Sequence, residues 1–172
     1  CNDKLGSQVK LNSEGIQTPW SCVIGSDKML DIALKQAEDD GKLKFPIILK
    51  TLRGTHGIGV MKVDSKSSLV SVAQALMANS SSEVMLQEFI EHDSSLRMIM
   101  IGHDLLAANR RGQPKEKDEF RTNSHLGSET EKYEPTEEEL ALGRRIVELF
   151  GCNFCAIDYI QHDGKLIVLE VN

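Results

Sequence analysis

The stretch Asp158-Tyr-Ile-Gln-His-Asp-Gly-Lys-Leu-Ile-Val-Leu-Glu170-Val-Asn172 places three oxygen-bearing side chains inside a strand-like pattern. The apolar run Leu166–Leu169 is typical of a strand buried on both faces, and Glu170 and Asn172 follow it two positions apart, on one face. Asp158 lies in the preceding apolar stretch, with Asp163-Gly164 as a turn between them. The pattern predicts a β-hairpin that carries acidic side chains.

The register of this hairpin decides whether the acids meet. A two-residue Asp163-Gly164 turn would put Asp158 and Glu170 on opposite faces, whereas a three-residue loop with Gly164 in the left-handed region would set them across from each other. We predict the odd-length loop. Two carboxylates about 4 Å apart repel by roughly 4 kcal/mol at an effective dielectric of about 20, so we expect a cation between them. Two acids and an amide favour Mg²⁺ or Mn²⁺; the alternative is a hairpin whose solvated face carries Asp158, Glu170 and Asn172.

Composition limits the class of protein. The chain has 172 residues, 40% of them hydrophobic, and a net charge of −6, which indicates a soluble globular protein of one domain or two small lobes. The negative charge argues against a general nucleic-acid binder, and no apolar run reaches the ~20 residues of a membrane span. Four scattered cysteines argue against a secreted disulfide framework, so we expect a cytoplasmic protein. Because the chain opens at Cys1 without Met and stops at Asn172 inside a strand pattern, we expect a piece of a longer protein.

Helices and hairpins alternate along the chain. Ser26-Asp27 predicts the start of a helix that closes at Gly41, and Thr136–Glu139 forms a capping box for a helix that ends at Gly151. An earlier segment with Leu5, Val9 and Leu11 is modestly amphipathic. We predict a further helix over 67–78, a polar stretch without periodicity over 112–133, and strands over 21–24, 46–50, 60–63, 84–90, 96–101 and 104–109. Strands that meet mainly as hairpins favour an α+β fold.

The glycine-rich loop Gly54–Gly59 joins two strands, so it is neither a Walker loop nor a dinucleotide fingerprint, both of which open a helix. Its backbone N–H groups are suited to covering phosphates, and the alternative is a flexible hairpin tip. Lys50 ends the preceding apolar strand. If it is buried it needs an anion, for which a phosphate or Glu88 would serve; otherwise it points into water.

Further polar motifs follow the loop. Gln87-Glu88-Phe89-Ile90 has the pattern of a hinge that reads an adenine and a ribose, the alternative being a solvated acid at a strand end. Arg110, Arg111 and Arg121 suit recognition of carboxylate or phosphate, and we expect one of the adjacent pair to be surface charge. Cys152-Asn-Phe-Cys155 is interpreted as two small core residues, because no second pair or nearby His completes a metal site.

Taken together, these motifs resemble those of the ATP-grasp superfamily, and most closely its RimK-type branch of glutamate ligases. The similar motifs run over nearly the whole chain in one order: Asn2-Asp3-Lys4, Leu49-Lys50, Gly54–Gly59, Gln87–Ile90, Arg110-Arg111, Phe120–His125, Ile157-Asp158 and Leu169–Asn172. The resemblance implies an α+β fold in which two small lobes with largely antiparallel sheets grip ATP between them. It further implies a linker segment over residues 1–28, an N-terminal lobe with the glycine loop over 29–90, and a C-terminal lobe with the metal site over 91–172, truncated at its C-terminal end.

The resemblance also implies the ligands and their residues. ATP and two Mg²⁺ (or Mn²⁺) ions would be the cofactors. Nucleotide binding would involve Lys4, Lys50, Gly54, Thr55, Gly57, Gly59, Gln87, Glu88, Phe89, Asp93, Ser95 and Arg121. Arg121 and Asn123 would be catalytic, facing the γ-phosphate and the reacting carboxyl group. The substrate residues would be Arg110, Arg111 and His125, and the metal ligands would be Asp158, Glu170 and Asn172.

The implied activity is an ATP-dependent carboxylate–amine ligase that works through an acyl phosphate and adds glutamate or a similar amino acid to a peptide, protein or small amine. Two departures from the pattern favour an alternative, an ATP-binding module with impaired ligase chemistry. Ser95 stands where related sequences usually carry an Asp, so Asp93 would make the ribose contact, and Leu126 replaces an arginine after His125. A phosphotransferase acting on a hydroxyl is a more distant reading. The implied partners are an amino-acid or peptide substrate and an amine acceptor, with no nucleic acid or membrane; homo-oligomerisation stays open.

Overall fold

A computed structural model describes residues 3–52, 59–80, 83–112 and 129–172, apart from the side chains of 79 and 80. These residues form α1 (Lys4–Ser13), β1 (Ser21–Ile24), α2 (Asp27–Asp39), β2 (Ile47–Thr51), β3 (Val60–Val63), α3 (Lys66–Ser80), β4 (Val84–Glu88), β5 (Ser94–Ile101), β6 (Asp104–Gly112), β7 (Thr130–Lys132), α4 (Glu137–Phe150), β8 (Phe154–His162) and β9 (Lys165–Val171). Both sheets are antiparallel, which confirms the predicted α+β class. Within the described ranges, no helix has the length and apolar character needed to cross a membrane.

The chain divides into two compact units. The four-stranded unit is Pro19–Ile90, and the five-stranded unit combines Cys1–Thr18 with Glu91–Asn172. Residues 1–28 contribute to both units, because α1 packs against β9 and α4 whereas β1 pairs with β4, and the predicted linker over these residues stays a prediction. The predicted lobes 29–90 and 91–172 stay a prediction; their shared boundary coincides with the one between the units.

The four-stranded unit has the strand order β1-β4-β2-β3. Its helix α2 begins after Ser26, whose side chain accepts a hydrogen bond from the backbone N–H of Met29 at 3.3 Å. Of the four apolar residues at helical spacing, Met29, Leu30, Leu34 and Ala37, the helix buries the last three, whereas Met29 is 48% exposed. Leu30 and Leu34 pack in one core with strand and helix residues Ile24, Ile47, Leu49, Val63, Leu69, Ala73, Val84 and Leu86.

The five-stranded unit has the order β7-β6-β5-β8-β9. The predicted hairpin around Gly102-His103 is confirmed as the β5–β6 connection. Met98 is fully buried on the sheet face that meets α4. A Cβ added to Gly143 of α4 would lie 2.7 Å from the Met98 Cε atom, so glycine allows the helix to approach the sheet closely. We call this side of the sheet the helix face.

The N-terminus of α4 contains a fully buried carboxylate. The predicted capping box is confirmed: Thr136 Oγ1 accepts from the Glu139 backbone, and Glu139 accepts from the Thr136 backbone N–H at 2.7 Å. Glu139 is 0% exposed and also accepts hydrogen bonds from Tyr133 Oη, Tyr159 Oη and Gln161 Nε2 at 3.0–3.3 Å. Burial, and then the neighbouring Glu139, raises the pKa of both tyrosines. Neutral donors therefore hold this carboxylate.

The predicted apolar side of α1 is only partly buried. In α1 only Leu11 of the expected apolar side chains is buried, at 1% exposed, while Val9 is 61% exposed. Ser7 and Gln8 occupy the buried side with Leu11, and Ser7 can be buried because its hydroxyl donates to the Asp3 carbonyl at 2.7 Å. The polar stretch 112–133, in which the sequence shows no periodicity, contributes β7, whose three exposed side chains give no alternating pattern.

Candidate active site

The β8–β9 hairpin sets Asp158 opposite Glu170, as predicted, but not through the predicted loop. The turn has two residues, Asp163 and Gly164, with φ of 49° and 71°. Tyr159 pairs with Val168 and Asp158 pairs with Glu170, so Leu169 is an extra residue in β9. This bulge shifts the register by one and brings both acids to the same face. The predicted three-residue loop was wrong, whereas the predicted pairing of Asp158 with Glu170 is confirmed.

Arg97 on β5 is the direct cross-strand partner of Asp158 on β8, and it binds both oxygens of the Asp158 carboxylate. Arg97 Nε donates to Oδ1 at 2.6 Å and Nη2 donates to Oδ2 at 2.5 Å. The hydrogen bond to Asp158 raises the pKa of Arg97 despite the desolvation that opposes it, and the charge of Glu170 adds to the increase. A guanidinium thus offsets part of the predicted repulsion between the two acids.

Arg111 lies on the same face and is more deeply buried, with 12% of its side chain exposed. Its Nη1 atom lies 3.7 Å from Asp158 Oδ1, and its Nε atom is buried without a hydrogen-bond partner among the residues that the structure describes. Burial lowers the pKa of Arg111 and the charge of Arg97 lowers it further, while Asp158 acts in the opposite direction. A desolvated cation with an unsatisfied donor is suited to an anionic ligand.

Arg110 does not join this cluster, because adjacent residues of a strand point to opposite faces. Its guanidinium stacks over the Tyr133 ring, 4.7 Å from the centroid, and its Nη1 atom lies 3.4 Å from Glu131 Oε1. Tyr133 in turn bonds to Glu139, so Arg110 belongs to the helix face. The structure thus places Arg110 and Arg111 on opposite faces of the sheet, and the expectation that one of the pair is surface charge stays a prediction, as do the substrate roles of both.

The side of the sheet opposite the helix face, which we call the acid face, carries the predicted metal ligands. Asn172 Nδ2 lies 3.4 Å from Asp158 Oδ2. In the described part of the chain, no group of three or more His, Cys, Asp or Glu side chains is placed to hold a metal. The set that does converge, two carboxylates and an amide, nevertheless has the oxygen donors that Mg²⁺ takes when substrate phosphates complete its shell. Arg97 uses two of the roughly four lone-pair positions of Asp158, so the donor set fits the ion.

Lys4 and Ser95 also belong to the five-stranded unit. Lys4 is the first residue of α1, after the N-cap Asp3, whose Oδ1 accepts from the Gly6 backbone at 2.8 Å. Ser95 is buried and pairs with Arg111 across β5 and β6, so it shares the acid face. Asp93 is exposed just before β5. The structure therefore brings Ser95 to the cluster of Arg111 and Asp158.

In the four-stranded unit, Lys50 lies near the end of β2, on the sheet face away from Leu49 and the helices. Cross-strand pairs bring Lys62 and Gln87 to the same face, since both pair with Ile48. Lys62, which the sequence did not single out, places its Nζ atom 5.2 Å from the Phe89 ring centroid. This face thus carries two lysines beside an aromatic ring.

Glu88 and Gln87 make defined contacts at the end of β4. The Glu88 carboxylate accepts from the backbone N–H of Trp20 at 3.3 Å, and its own N–H donates to the Trp20 carbonyl at 2.8 Å. Gln87 is 3% exposed and donates to Ser21 Oγ at 3.1 Å. Both residues therefore fix the end of β4 against the start of β1, and their predicted nucleotide-binding roles stay a prediction.

The described part of the glycine-rich loop is its last residue. Gly59 has φ of 80°, and a Cβ there would lie 2.2 Å from Thr51 Oγ1, so both the backbone and the space require glycine. The loop closes through the Thr51 N–H, which donates to the Gly59 carbonyl at 2.9 Å. The other predicted site residues Gly54, Thr55, Gly57, Arg121, Asn123 and His125 lie outside the described residues, and so does Leu126.

Comparison with known proteins bears on this arrangement. The family model for the RimK-like ATP-grasp domain matches residues 1–172. A curated relative, a probable alpha-L-glutamate ligase of Histophilus somni, is 34% identical over 175 residues, which cover 100% of this chain and 55% of the relative. The chain spans about half the length of the curated relatives it matches.

Two solved structures share the fold. A D-alanine–D-alanine ligase from Bacillus anthracis has a TM-score of 0.79 at 23% identity, covering 100% of this chain and 56% of the ligase. A RimK domain protein from Sphaerobacter thermophilus has a TM-score of 0.71 at 19% identity, covering 98% of this chain and 58% of that protein. The ATP-grasp fold expected from the sequence is confirmed. The chain belongs to the RimK-like ATP-grasp domain family.

Proposed function

We propose that the protein is an ATP-dependent carboxylate–amine ligase. The observation that carries the proposal is the composition of the acid face, where the oxygen donors Asp158, Glu170 and Asn172 lie beside Arg111, a buried cation whose Nε donor has no partner within the described part of the chain. Oxygen donors next to a desolvated arginine suit a metal-bound polyphosphate, because the ion takes the carboxylates and the guanidinium takes phosphate oxygens. Membership of the RimK-like family supports the same chemistry.

The proposed reaction has two balanced steps. A substrate carboxylate oxygen attacks the γ-phosphorus of ATP, the bond to the β–γ bridging oxygen breaks, and ADP leaves with that electron pair. An amine then attacks the acyl carbon, inorganic phosphate leaves, and the amine nitrogen loses a proton. Neither step needs a nucleophile from the protein, so positioning and electrostatic stabilisation by side chains account for the catalysis.

The chain's own residues would divide the work. Lys50 and Lys4 would hold the α- and β-phosphates, with the Gly54–Gly59 loop over them, and Glu88 and Phe89 would hold the adenine. Arg111 would bind phosphate or carboxylate oxygens on the acid face, and Arg121 and Asn123 would face the transferring group. When bound at Asp158, Glu170 and Asn172, Mg²⁺ would neutralise charge on the phosphoryl oxygens.

The proposed donor is glutamate or a related amino acid, and the proposed acceptor is the amine of a peptide, a protein or a small molecule. The relatives named probable alpha-L-glutamate ligases support this substrate class. The net charge of −6 agrees with a partner that is not nucleic acid, and we also propose a cytoplasmic protein that acts without a membrane.

One observation favours a second function, an ATP-binding module without ligase activity. Arg97 already occupies both oxygens of Asp158, at 2.6 and 2.5 Å, and thereby competes with a metal for that carboxylate. The buried Ser95 at the position where related sequences carry Asp is consistent with an altered nucleotide site. A nucleotide held without productive metal geometry would bind but not react.

Phosphate release from ATP tests the two functions. The full-length protein is assayed with Mg²⁺, with and without L-glutamate and a panel of amines, against the Glu170→Gln variant. The control is Glu148→Gln, because Glu148 has 67% of its side chain exposed on α4. Release that requires both co-substrates, survives in the control and is lost in Glu170→Gln supports the ligase. ATP binding without release across the panel supports the binding module.

A further inference from the structure

The Arg97–Asp158 pair places a permanently charged guanidinium beside Asp158, which is a predicted metal ligand. The two residues are cross-strand neighbours on β5 and β8, and two parallel hydrogen bonds at 2.6 and 2.5 Å fix the plane of the carboxylate. The side chains are 29% and 15% exposed, so water screens the pair only in part. The carboxylate is thus held in one orientation before any ligand arrives.

Charge within the cluster of Arg97, Arg111, Asp158 and Glu170 is balanced. Arg97 and Arg111 carry two positive charges, and both lie near Asp158, whose neighbour Glu170 also interacts with Arg97. Asp158 and Glu170 carry two negative charges. A free divalent cation would therefore meet a site without net negative charge and would lie close to a guanidinium.

A polyphosphate changes this balance. Its oxygens add several negative charges and can bind Arg111, whose buried Nε lacks a partner. They also supply ligands that the protein does not, since Mg²⁺ is commonly held by one or two carboxylates together with substrate phosphates. The acid face therefore attracts a divalent cation that is bound to a nucleotide, whereas it does not attract the free cation.

We propose that Arg97 is a positioning residue that holds Asp158 and restricts the acid face to a divalent cation bound to a nucleotide polyphosphate. The inference rests on the proposed function, because it assumes that this face meets the phosphates of ATP. It assigns Arg97 two separable effects. The fork of its guanidinium orients Asp158, and its charge weakens the binding of the free ion.

Mn²⁺ is the probe, measured as the loss of the free-ion electron paramagnetic resonance signal. The full-length protein is titrated without nucleotide and with the non-hydrolysable β,γ-imido analogue of ATP. Wild type is expected to bind Mn²⁺ at least about 100-fold more tightly with the analogue than without it. Mn²⁺ binding that persists in the Glu170→Gln variant is binding outside the acid face, and it is subtracted.

Two variants separate the effects of Arg97. Arg97→Gln removes the charge and is expected to tighten nucleotide-free Mn²⁺ binding by about tenfold or more. Arg97→Lys keeps the charge but loses the fork, so nucleotide-free binding should stay weak while binding with the analogue weakens. Arg144→Gln is the matched control, since Arg144 is a 44% exposed arginine in an ion pair with Glu137. It should behave as wild type.

The outcomes are distinct. Nucleotide-free binding that is unchanged or weaker in Arg97→Gln, or tighter in Arg97→Lys, overturns the inference. Tight binding of free Mn²⁺ by wild type, with a dissociation constant below about 0.1 mM, overturns it even if Arg97→Gln does not fold. Failure of wild type to bind Mn²⁺ with the analogue refutes the proposed function itself. Binding with the analogue but no gain in Arg97→Gln refutes the role of Arg97 alone.

Discussion

The two faces of the five-stranded sheet each hold a carboxylate, and they hold it in different ways. On the helix face, Glu139 is 0% exposed and accepts hydrogen bonds from neutral hydroxyl, amide and backbone groups. On the acid face, Asp158 is bound by Arg97 and approached by Arg111, with 15% of its side chain exposed. Neutral donors around a fully buried group make a structural carboxylate, whereas charged partners around a partly exposed group make one that can bind a further charged ligand.

The largest effect is expected from removing the structural carboxylate. Glu139→Ala leaves the hydroxyls of Tyr133 and Tyr159 and the Thr136 N–H without their acceptor, and should lower the free energy of unfolding by about 3–4 kcal/mol. Chemical denaturation measures the change. Glu138→Ala, at the exposed neighbouring position, should cost less than about 1 kcal/mol. Equal losses of unfolding free energy in Glu139→Ala and Glu138→Ala would show that the buried carboxylate on the helix face has no special structural role.

The acid face should show the reverse pattern, with a loss of activity that exceeds the loss of stability. Asp158→Asn should lower phosphate release at least about 100-fold, equivalent to about 2.7 kcal/mol, because an amide binds Arg97 and a metal more weakly than a carboxylate does. Its free energy of unfolding should fall by no more than about 1–2 kcal/mol. Steady-state kinetics and denaturation on one preparation test this. A variant that unfolds but keeps its activity per folded molecule would contradict it.

Alkaline pH should sharpen the comparison. The folded protein raises the pKa of Tyr159 above its ordinary value through burial and Glu139, so its contribution to stability is complete below about pH 10 and is lost as pH rises toward the folded pKa. Each such group costs about 1.4 kcal/mol per pH unit in that window. Denaturation between pH 7 and 11 should show a shallower decline for Tyr159→Phe than for wild type.

The acid face provides the control for this titration. Asp158→Asn should keep the alkaline decline of wild type, because Asp158 is not part of the Tyr159–Glu139 network. Burial also raises the pKa of Cys22 to about 11 and that of Cys155 to about 12, and the two thiols add a decline of the same sign in every variant. An unchanged slope in Tyr159→Phe would show that the thiols and Tyr133, whose pKa is also raised by burial, account for the decline without Tyr159.

The sequence predicted the fold through local signals. The capping box at Thr136, the C-cap at Gly151 and the hairpin at Gly102-His103 each depend on residues that are close along the chain. The buried face of α1 could not be predicted in the same way, because Ser7 and Gln8 are buried by tertiary packing against β9 and α4.

The candidate site was predicted in part. The apolar run Leu166–Leu169 and the order of the motifs pointed to Asp158 and Glu170, but the bulge at Leu169 leaves no mark in composition. Arg97 was missed as a partner because 61 residues separate it from Asp158, and only the β5–β8 pairing brings the two together. Arg110 and Arg111 are the same residue type at adjacent positions. They differ only in the sheet face on which they lie, because successive side chains of a strand point to opposite faces.

That assignment gives the smallest expected effect. Arg111→Gln should raise the KM for ATP about tenfold, because its guanidinium lies on the acid face with an unsatisfied Nε, whereas Arg110→Gln should change it less than about twofold. Arg110→Gln should instead reduce stability by about 0.5–1 kcal/mol, through the loss of its stacking on Tyr133. The two variants are matched in chemistry and adjacent in sequence, so a general loss of positive charge would affect both equally. Equal KM values would mean that the face of the sheet does not decide which arginine meets the nucleotide.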